Sequence, residues 1–318
     1  MKRKVLSIIL CLCMLLAVGC SKDKDDENTK ETGKTGDTAK SSYKVYLITM
    51  DQMDQHWVNV DGGCKKAVEE LGDIDYKWLA PDVKDDAKQI ECINNAVAGG
   101  ADALLLAANG PDAVTSALEE AEKAGVKIIY VDSAADYPAI QTLATDNEAA
   151  GKTAGEEMLK GLEAAGIKEG KIGIVNVNAA TASCVAREKG FRAAFEGSAF
   201  ELLETQYGEG DAAKSKDIAA NYITSGCVGL FGANEGSTVG IGNAIQEAGD
   251  KIVGVGFDKS DTILELIKGG NILCTMAQNP DKMGYEGMKV AEKALKGEAT
   301  GEDYVDTGVS VITKDDLK

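Results

Sequence analysis

From Tyr43 to the end of the chain, short apolar runs rich in β-branched residues alternate with amphipathic segments, many of which end at glycine. Runs such as "KIIYVD" and "KIGIVNV" are almost continuously apolar, which predicts parallel strands covered on both faces. The segments between the runs place apolar residues at helical spacing. Repeated strand–helix units require right-handed crossovers, so the sequence predicts an α/β fold with doubly wound parallel sheets. Because the runs are too numerous for one sheet, we expect two Rossmann-like lobes, with the break near "PAIQTLATDNEAAG".

The first residues predict export rather than folded structure. A basic start, "MKRK", precedes an apolar run that is too short to span a bilayer comfortably, as in a secretory signal peptide. The run ends in "AVGC", which looks like the lipobox of bacterial lipoproteins and makes Cys20 the expected lipidation site. An ordinary signal peptide or a membrane anchor is the alternative. We therefore expect a signal peptide with lipobox over residues 1–20 and a charged, disordered tether over residues 21–42.

Composition and motif spacing argue against several classes of function. The net charge of −18 argues against nucleic acid as a partner, because nucleic-acid binders are normally basic along one face. The cysteines form no C-x-x-C pair outside the signal segment, so zinc and redox chemistry are not indicated. His56 is the only histidine, and the sequence has neither a G-x-S-x-G elbow nor the spacing of a phosphate loop. We expect no enzyme activity, no metal and no cofactor, although the abundant acids leave a glycosidase-type carboxylate pair open.

Polar side chains recur at the points where the predicted strands end. Ligands of open parallel sheets bind at the carboxyl ends of the strands, so these side chains are candidates for a binding site. The candidates are Asp51, Asp54, His56 and Trp57 after the first strand, Asn109 after the third, Asp132 after the fourth, and Asn234, Asp258 and Gln278 after strands of the second half. Arg187 joins them at the expected start of a helix in "SCVAREKGF". A helix N-cap or a turn is the alternative role for any single Asp or Asn.

These residues lie in segments that resemble the type I periplasmic sugar-binding proteins, the ribose/galactose-type solute receptors of ABC importers. The resemblance covers nearly all of residues 43–318 and rests on segments such as "LATDNEAAGKTAGEEML", "LFGANEGSTVGIGNAI" and "MAQNPDKMGYEGMKVAEKAL" in the right order. It implies two Rossmann-like, doubly wound lobes joined by a three-segment hinge, which is the periplasmic-binding-protein type I fold. The N-terminal lobe would comprise residues 43–145 and 279–306, and the C-terminal lobe residues 146–278 and 307–318.

The resemblance also implies roles for the candidate residues. Arg187 looks like the family's sugar-binding arginine, and Asp54, His56 and Trp57 fall where the family has polar and aromatic residues. The family's other polar ligands correspond to Asn109, Asp132, Asn234, Asp258 and Gln278.

Three departures from the family pattern bear on the expected ligand. Ser133 stands where an arginine is usual, Gly210 stands near the place of an expected aromatic ring, and His56 with Trp57 replaces paired phenylalanines. We therefore expect a pocket that is more polar and more acidic than that of a ribose receptor. Such a pocket suits a hexose, a polyol or a ligand with some positive charge, and the sequence does not choose among them.

The resemblance predicts a solute-binding lipoprotein that captures a sugar or polyol and delivers it to the permease subunits of an ABC importer. We expect a monomer that is exported and held by lipid at the outer face of the cell membrane, or in the periplasm. Two alternatives stay open on the sequence. One is a receptor for a membrane sensor kinase or chemoreceptor, and the other is binding of a non-sugar metabolite such as a nucleoside or an autoinducer.

Overall fold

The computed structural model describes residues 42–249 and 252–318. The predicted signal peptide, Cys20 and the predicted tether up to residue 41 lie outside the described residues. The strands are β1 (Tyr43–Ile48), β2 (Ile74–Leu79), β3 (Ala103–Leu106), β4 (Lys127–Val131), β5 (Thr142–Ala144), β6 (Gly170–Asn176), β7 (Phe200–Leu202), β8 (Gln206–Tyr207), β9 (Cys227–Gly232), β10 (Val253–Phe257), β11 (Cys274–Gln278), β12 (Tyr304–Asp306) and β13 (Val309–Thr313). The helices are α1 (Gln55–Leu71), α2 (Asp86–Ala98), α3 (Thr115–Lys123), α4 (Asn147–Ala164), α5 (Ala182–Ala194), α6 (Ala212–Thr224), α7 (Glu235–Ala248), α8 (Asp261–Gly269) and α9 (Pro280–Lys296), followed by a 3-10 helix at Lys314–Leu317.

In this part of the chain the strands form two sheets. The first is a parallel sheet of six strands in the order β12-β5-β4-β3-β1-β2. The second has seven strands in the order β13-β11-β10-β9-β6-β7, with β8 beside β6, and its edge strand β13 runs antiparallel to β11. The predicted α/β fold with two doubly wound, parallel-dominated sheets is confirmed.

The chain passes between the two sheets three times. The passages lie between β5 and β6, between β11 and β12, and between β12 and β13. They support the predicted three-segment hinge and the division into two discontinuous lobes, whose residue boundaries stay a prediction.

Helices cover both faces of each sheet, which explains why central strands such as β3, β4 and β6 are almost continuously apolar. On one face of the first sheet, Val60 of α1 and Met283 of α9 pack in one buried cluster with Leu47. Ile93 of α2 and Leu118 of α3 belong to the cluster on the other face. The second sheet is enclosed in the same way, by α4 and α5 on one face and by α6, α7 and α8 on the other. No helix in the described part is both long and apolar enough to cross a membrane.

The packing of α4 on α5 depends on glycine. A Cβ atom at Gly151 would lie 2.0 Å from the carbonyl oxygen of Arg187, and one at Gly190 would lie 1.9 Å from that of Glu148. Real Cβ atoms never approach backbone so closely, so the two helix backbones must touch at these points. The contact at Gly151 therefore places the backbone of Arg187 directly against α4.

We expect Gly151→Ala to lower the free energy of unfolding by about 1–3 kcal/mol, because the added methyl group forces the two helices apart. Chemical denaturation measures this loss. Gly62→Ala is the matched control, since no described atom outside its own helical turn lies within 4 Å of a Cβ atom there. That variant should gain about 0.5–1 kcal/mol from the higher helix propensity of alanine. Equal effects of the two substitutions would contradict the packing argument.

Candidate ligand-binding site

The carboxyl ends of strands from both sheets meet at a small buried cavity. Its volume is about 20 Å³, which leaves room for about one water molecule. Its walls include all predicted ligand-binding residues except Asn109, namely Asp54, His56, Trp57, Asp132, Arg187, Asn234, Asp258 and Gln278. Met50, Lys84, Val177, Ser183 and Cys184 complete the lining. The structure therefore brings the predicted residues together, while their role as ligand contacts stays a prediction.

His56 lies between the aspartates that follow β4 and β10. Its Nε2 atom is 3.0 Å from Oδ2 of Asp132, and its Nδ1 atom is 3.4 Å from Oδ1 of Asp258. All three side chains are buried. Since Asp132 follows a strand of the first sheet and Asp258 a strand of the second, the imidazole bridges the two lobes.

Both aspartates have a backbone conformation that is unusual for a residue with a side chain. Asp132 has a φ of 68° and Asp258 a φ of 74°, in the left-handed region. Such conformations cost free energy and persist where the surrounding contacts determine them. Here the contacts include the bridge to His56, a hydrogen bond of 3.1 Å from the Ser133 hydroxyl to Asp132, and one of 2.6 Å from the Gln278 amide to Asp258.

Arg187 is held mainly by its own lobe. Its Nε donates to the side-chain oxygen of Asn147 at 2.8 Å, its Nη1 donates to the carbonyl of Ala233 at 3.0 Å, and its guanidinium carbon lies 4.4 Å from the ring centroid of Phe257. Its Nη2 is buried, lies 3.8 Å from Asp132, and has no hydrogen-bond partner among the described residues. Arg187 lies in the second turn of α5, and the prediction that it opens the helix is wrong, since α5 begins at Ala182.

Gln278 connects the cavity to one of the passages between the sheets. Its side-chain nitrogen donates to Asp258, and its oxygen accepts a hydrogen bond of 2.9 Å from the hydroxyl of Thr145, which follows β5. Gln278 is therefore oriented by both lobes.

The two asparagines have different surroundings. Asn234 caps α7 by accepting a hydrogen bond of 3.1 Å from the backbone of Ser237, so the N-cap alternative applies to this residue. Its Nδ2 is nevertheless buried without a hydrogen-bond partner in the described structure. Asn109 lies outside the cavity wall and donates to Asp86 at 2.5 Å. Its carbonyl accepts a hydrogen bond of 2.8 Å from the Thr181 hydroxyl of the other lobe, so Asn109 takes part in contact between the lobes.

Trp57 serves both the cavity wall and the core. Its indole nitrogen donates to Asp51 at 3.2 Å, and its ring meets that of His56 edge to face, with 4.7 Å between centroids. The ring also belongs to the buried cluster that contains Val60. The indole is thus fixed in one orientation beside the cavity.

Lys84 is a residue of the site that sequence reasoning missed. Its ammonium group is buried, forms an ion pair of 2.9 Å with Asp54 and pairs closely with Asp51. Burial alone would lower the pKa of Lys84, but the two carboxylates outweigh it and raise the pKa above its usual range. A Cβ atom at Gly210 would lie 2.7 Å from the lysine Nζ, so Lys84 occupies the space beside this glycine. The available signal was that Lys84 follows β2, whose carboxyl end lies at the same sheet edge.

Glu235 was also missed. Its two carboxylate oxygens accept hydrogen bonds of 3.0 Å each from the backbone N–H groups of Gln55 and His56, in the first turn of α1. Asp54, the N-cap of α1, makes no side-chain capping bond in the described structure, so a carboxylate from the other lobe caps this helix. Burial and the nearby charges of Asp54 and Asp258 raise the pKa of Glu235 to about 7.

The bridge at His56 carries charge. Burial alone would lower the pKa of His56, but the two carboxylates outweigh it and raise the pKa to about 10. Burial would raise the pKa values of Asp132 and Asp258, but His56 and Arg187 outweigh it and lower both. At neutral pH the bridge is therefore an imidazolium between two carboxylates.

Within residues 42–249 and 252–318, no group of three or more His, Cys, Asp or Glu side chains is placed to hold a metal ion. The five cysteines of these residues are unpaired. The side chains that line the cavity place hydrogen-bond donors and acceptors around a small space, as a binding site for a polar ligand requires.

Sequence comparisons show similarity to binding proteins of one family. The family model described as a periplasmic binding protein domain matches residues 45–299. The ribose import binding protein RbsB of Haemophilus influenzae is 30% identical over 76% of this chain and 82% of its own length. The corresponding protein of Salmonella typhimurium is 28% identical over 78% of this chain and 83% of its own length.

Solved structures resemble the chain to a similar degree. A carbohydrate transporter solute binding protein from Agrobacterium radiobacter, in complex with D-arabinose, has a TM-score of 0.83 and 31% identity, over 87% of this chain and 96% of its own. An ABC transporter solute binding protein from Agrobacterium vitis, with bound D-fucose, has a TM-score of 0.81 and 29% identity, over 86% of this chain and 96% of its own.

We expect the charge of His56 to make folding stability depend on pH. Because folding raises the pKa of His56 from 6.5 to about 10, its contribution is fully present below pH 6.5 and is lost as the pH rises towards 10. Urea denaturation between pH 6.5 and 9 should show a steeper loss of unfolding free energy for the wild type than for His56→Gln. Because the two proteins differ by one titrating group, the slopes of their unfolding free energies against pH can differ by at most about 1.4 kcal/mol per pH unit. Parallel pH curves would contradict a charged bridge.

Proposed function

The chain belongs to the periplasmic binding protein family, and we propose that it is an extracytoplasmic receptor that captures a sugar or polyol between two closing lobes and delivers it to an ABC importer. Its named relatives are import binding proteins and solute binding proteins. The protein accordingly binds its solute without converting it.

One observation carries the proposal: polar side chains from both sheets converge on a single buried cavity and leave some polar atoms unsatisfied. Nη2 of Arg187 and Nδ2 of Asn234 are buried donors without hydrogen-bond partners among the described residues. Buried polar groups without partners are costly. A sugar hydroxyl both accepts and donates, so it can satisfy these donors and the neighbouring carboxylates together.

The lobes must part before a sugar enters, because the cavity between them has room for about one water molecule. Several contacts across the cleft are single hydrogen bonds, which can break and re-form. The Ser133 hydroxyl lies 2.6 Å from the Ser183 hydroxyl, and that of Thr181 donates to the backbone of Asn109. An open cavity of about 500 Å³ adjoins the buried one and shares Asp54 and Lys84 with it, which provides a route of entry. Closure about a hinge then buries the ligand from both sides.

Membership of this family implies an exported protein. We further propose that Cys20 carries the lipid that anchors it to the outer face of the cell membrane, or holds it in the periplasm, with the charged segment that follows as the tether. Its partners are then the solute and the permease subunits of the importer, and it works as a monomer. Nucleic acid is not among them, since the chain is acidic.

A melting screen tests the proposed function. A sugar or polyol at 100 times its dissociation constant should stabilise the folded protein by about 2.7 kcal/mol and raise its melting temperature by several degrees. The panel should contain pentoses, hexoses and polyols beside nucleosides and amino acids. If only nucleosides or amino acids raise the melting temperature, the ligand is not a sugar.

Arg187→Lys should weaken sugar binding roughly tenfold to hundredfold, because the loss of one charge-assisted hydrogen bond costs about 1.5–3 kcal/mol. Lysine keeps the charge but cannot reproduce the fork with which Arg187 reaches Asn147, Ala233 and the cavity. Titration calorimetry measures the change. Lys189→Gln, an exposed position on the same helix, should bind as the wild type does. Unchanged affinity in Arg187→Lys would remove this residue from the site.

A further inference from the structure

Glu235 is a buried acid that reaches across the cleft between the two sheets. It stands in the first turn of α7, which covers the second sheet, and is 8% exposed. Its Oε1 accepts a hydrogen bond from the backbone N–H of Gln55 and its Oε2 accepts one from that of His56, each at 3.0 Å. Both N–H groups belong to the first turn of α1, which covers the first sheet. The carboxylate therefore acts as the N-cap of a helix in the opposite lobe.

The start of α7 is fixed by its own surroundings, so the position of Glu235 is well determined. A Cβ atom at Gly236 would lie 1.8 Å from the carbonyl oxygen of Gly210, which means that α7 lies directly against the segment before α6. The side chain of Asn234 already caps α7 by accepting from the backbone of Ser237. The carboxylate of Glu235 is therefore available to α1.

The charge of Glu235 has no cationic partner in the described part of the chain. The hydrogen bonds that it accepts there come from backbone N–H groups, and no ion pair with a lysine, arginine or histidine is formed. Lys84 lines the same open cavity but pairs with Asp51 and Asp54. A buried carboxylate without a cation is costly in its charged form, so the site favours protonation of Glu235.

The other titratable groups around Glu235 come from both lobes. Those next to the buried cavity are Asp54 and His56 at the start of α1, Lys84 after β2 and Asp258 after β10. Those that share the open cavity with Glu235 and are exposed are Asp82, Glu209, Asp211 and Asp261. Because the two cations of this group are paired with aspartates, negative charge prevails around Glu235.

The surroundings of Glu235 change when the lobes part. The carboxylate then leaves the N–H groups of α1 and the neighbouring Asp54, and water takes their place. With the lobes together, burial and the charges of Asp54 and Asp258 hold its pKa at about 7, against an ordinary value of 4.5. An acid with a higher pKa in the closed form takes up a proton on closure between these two pH values. The protonated group still accepts through its carbonyl oxygen, so contact with α1 persists.

We propose that Glu235 is a positioning residue that holds the start of α1, and with it His56 and Trp57, against the opposite lobe, and that it takes up a proton from the medium as the lobes close on a sugar. The receptor then holds its sugar more tightly in a mildly acidic medium than in a neutral one. The open cavity that Glu235 lines gives the proton access from solvent. The proposal rests on the proposed function, since closure on a sugar is the event that becomes dependent on pH.

The test measures sugar affinity against pH in matched variants of the full chain. Titration calorimetry with D-ribose, D-arabinose and D-fucose as probes would be carried out between pH 5 and 6.5. In this range the imidazole of His56 is charged with the lobes together or apart, so its contribution stays constant. The proteins are the wild type, Glu235→Gln, which cannot titrate at this position, and Glu247→Gln, which removes an acid from an exposed position on the same helix.

The expected result is a pH profile that depends on Glu235. One linked proton changes affinity by at most about tenfold per pH unit. The wild type and Glu247→Gln should therefore bind a sugar roughly tenfold more tightly at pH 5 than at pH 6.5, and Glu235→Gln should change by roughly threefold or less. Because each protein is compared with itself, a general loss of affinity in Glu235→Gln does not alter its profile.

The proposal is overturned if the affinities of the wild type and of Glu235→Gln change equally with pH, an outcome that leaves the receptor function standing. If none of the three sugars binds, urea denaturation without sugar decides. The unfolding free energy of the wild type should then rise relative to that of Glu235→Gln as the pH falls from 7 to 5, because folding raises the pKa of Glu235. Parallel curves would overturn the proposal, whereas the wider melting screen judges the proposed function separately.

Discussion

The bridge from Asp132 through His56 to Asp258 joins the two halves of the molecule. It connects the carboxyl end of β4 with that of β10 by way of the first turn of α1. Both aspartates hold backbone conformations that are unfavourable without such support. The bridge also orients its neighbours, because the imidazole sets the edge-to-face contact with Trp57 and Asp258 receives the amide of Gln278. The bridge therefore contacts two further residues of the cavity wall, Trp57 and Gln278.

A second layer of contacts supports the first. Asp54 would be expected to cap its own helix, but its carboxylate is engaged by Lys84. The cap comes instead from Glu235, which stands at the start of α7 and so lies near the positive ends of two helices. Each buried acid near the cleft thereby has a partner, and several of these partners belong to the opposite lobe. The Glu235 cap and the contact of His56 with Asp258 are thus contacts between the two lobes.

Much of the fold and part of the site could be predicted from local patterns. Apolar runs and helical spacing indicated the strands and helices, because both periods reflect burial by neighbours a few residues away. The rule for strand ends found most of the cavity wall, including His56, Asp132 and Asp258. It missed Lys84, since no candidate was taken from the residues that follow β2, although Asp82 and Lys84 both stand there. It also missed Glu235, because an acid in the first turn of a helix has an ordinary explanation in the helix dipole.

The sequence by itself determined that this chain forms two parallel α/β sheets with polar side chains at their binding edges, because periodicity and strand-end placement are local properties. Only the tertiary structure decided which of those side chains contact one another. The carboxylate of Glu235 meets the backbone of Gln55 across 180 residues of sequence, and His56 receives one aspartate from each sheet. Such pairings depend on how the two lobes meet. Since the energy of a buried charge is set by its neighbours in space, local sequence patterns do not show these pairings.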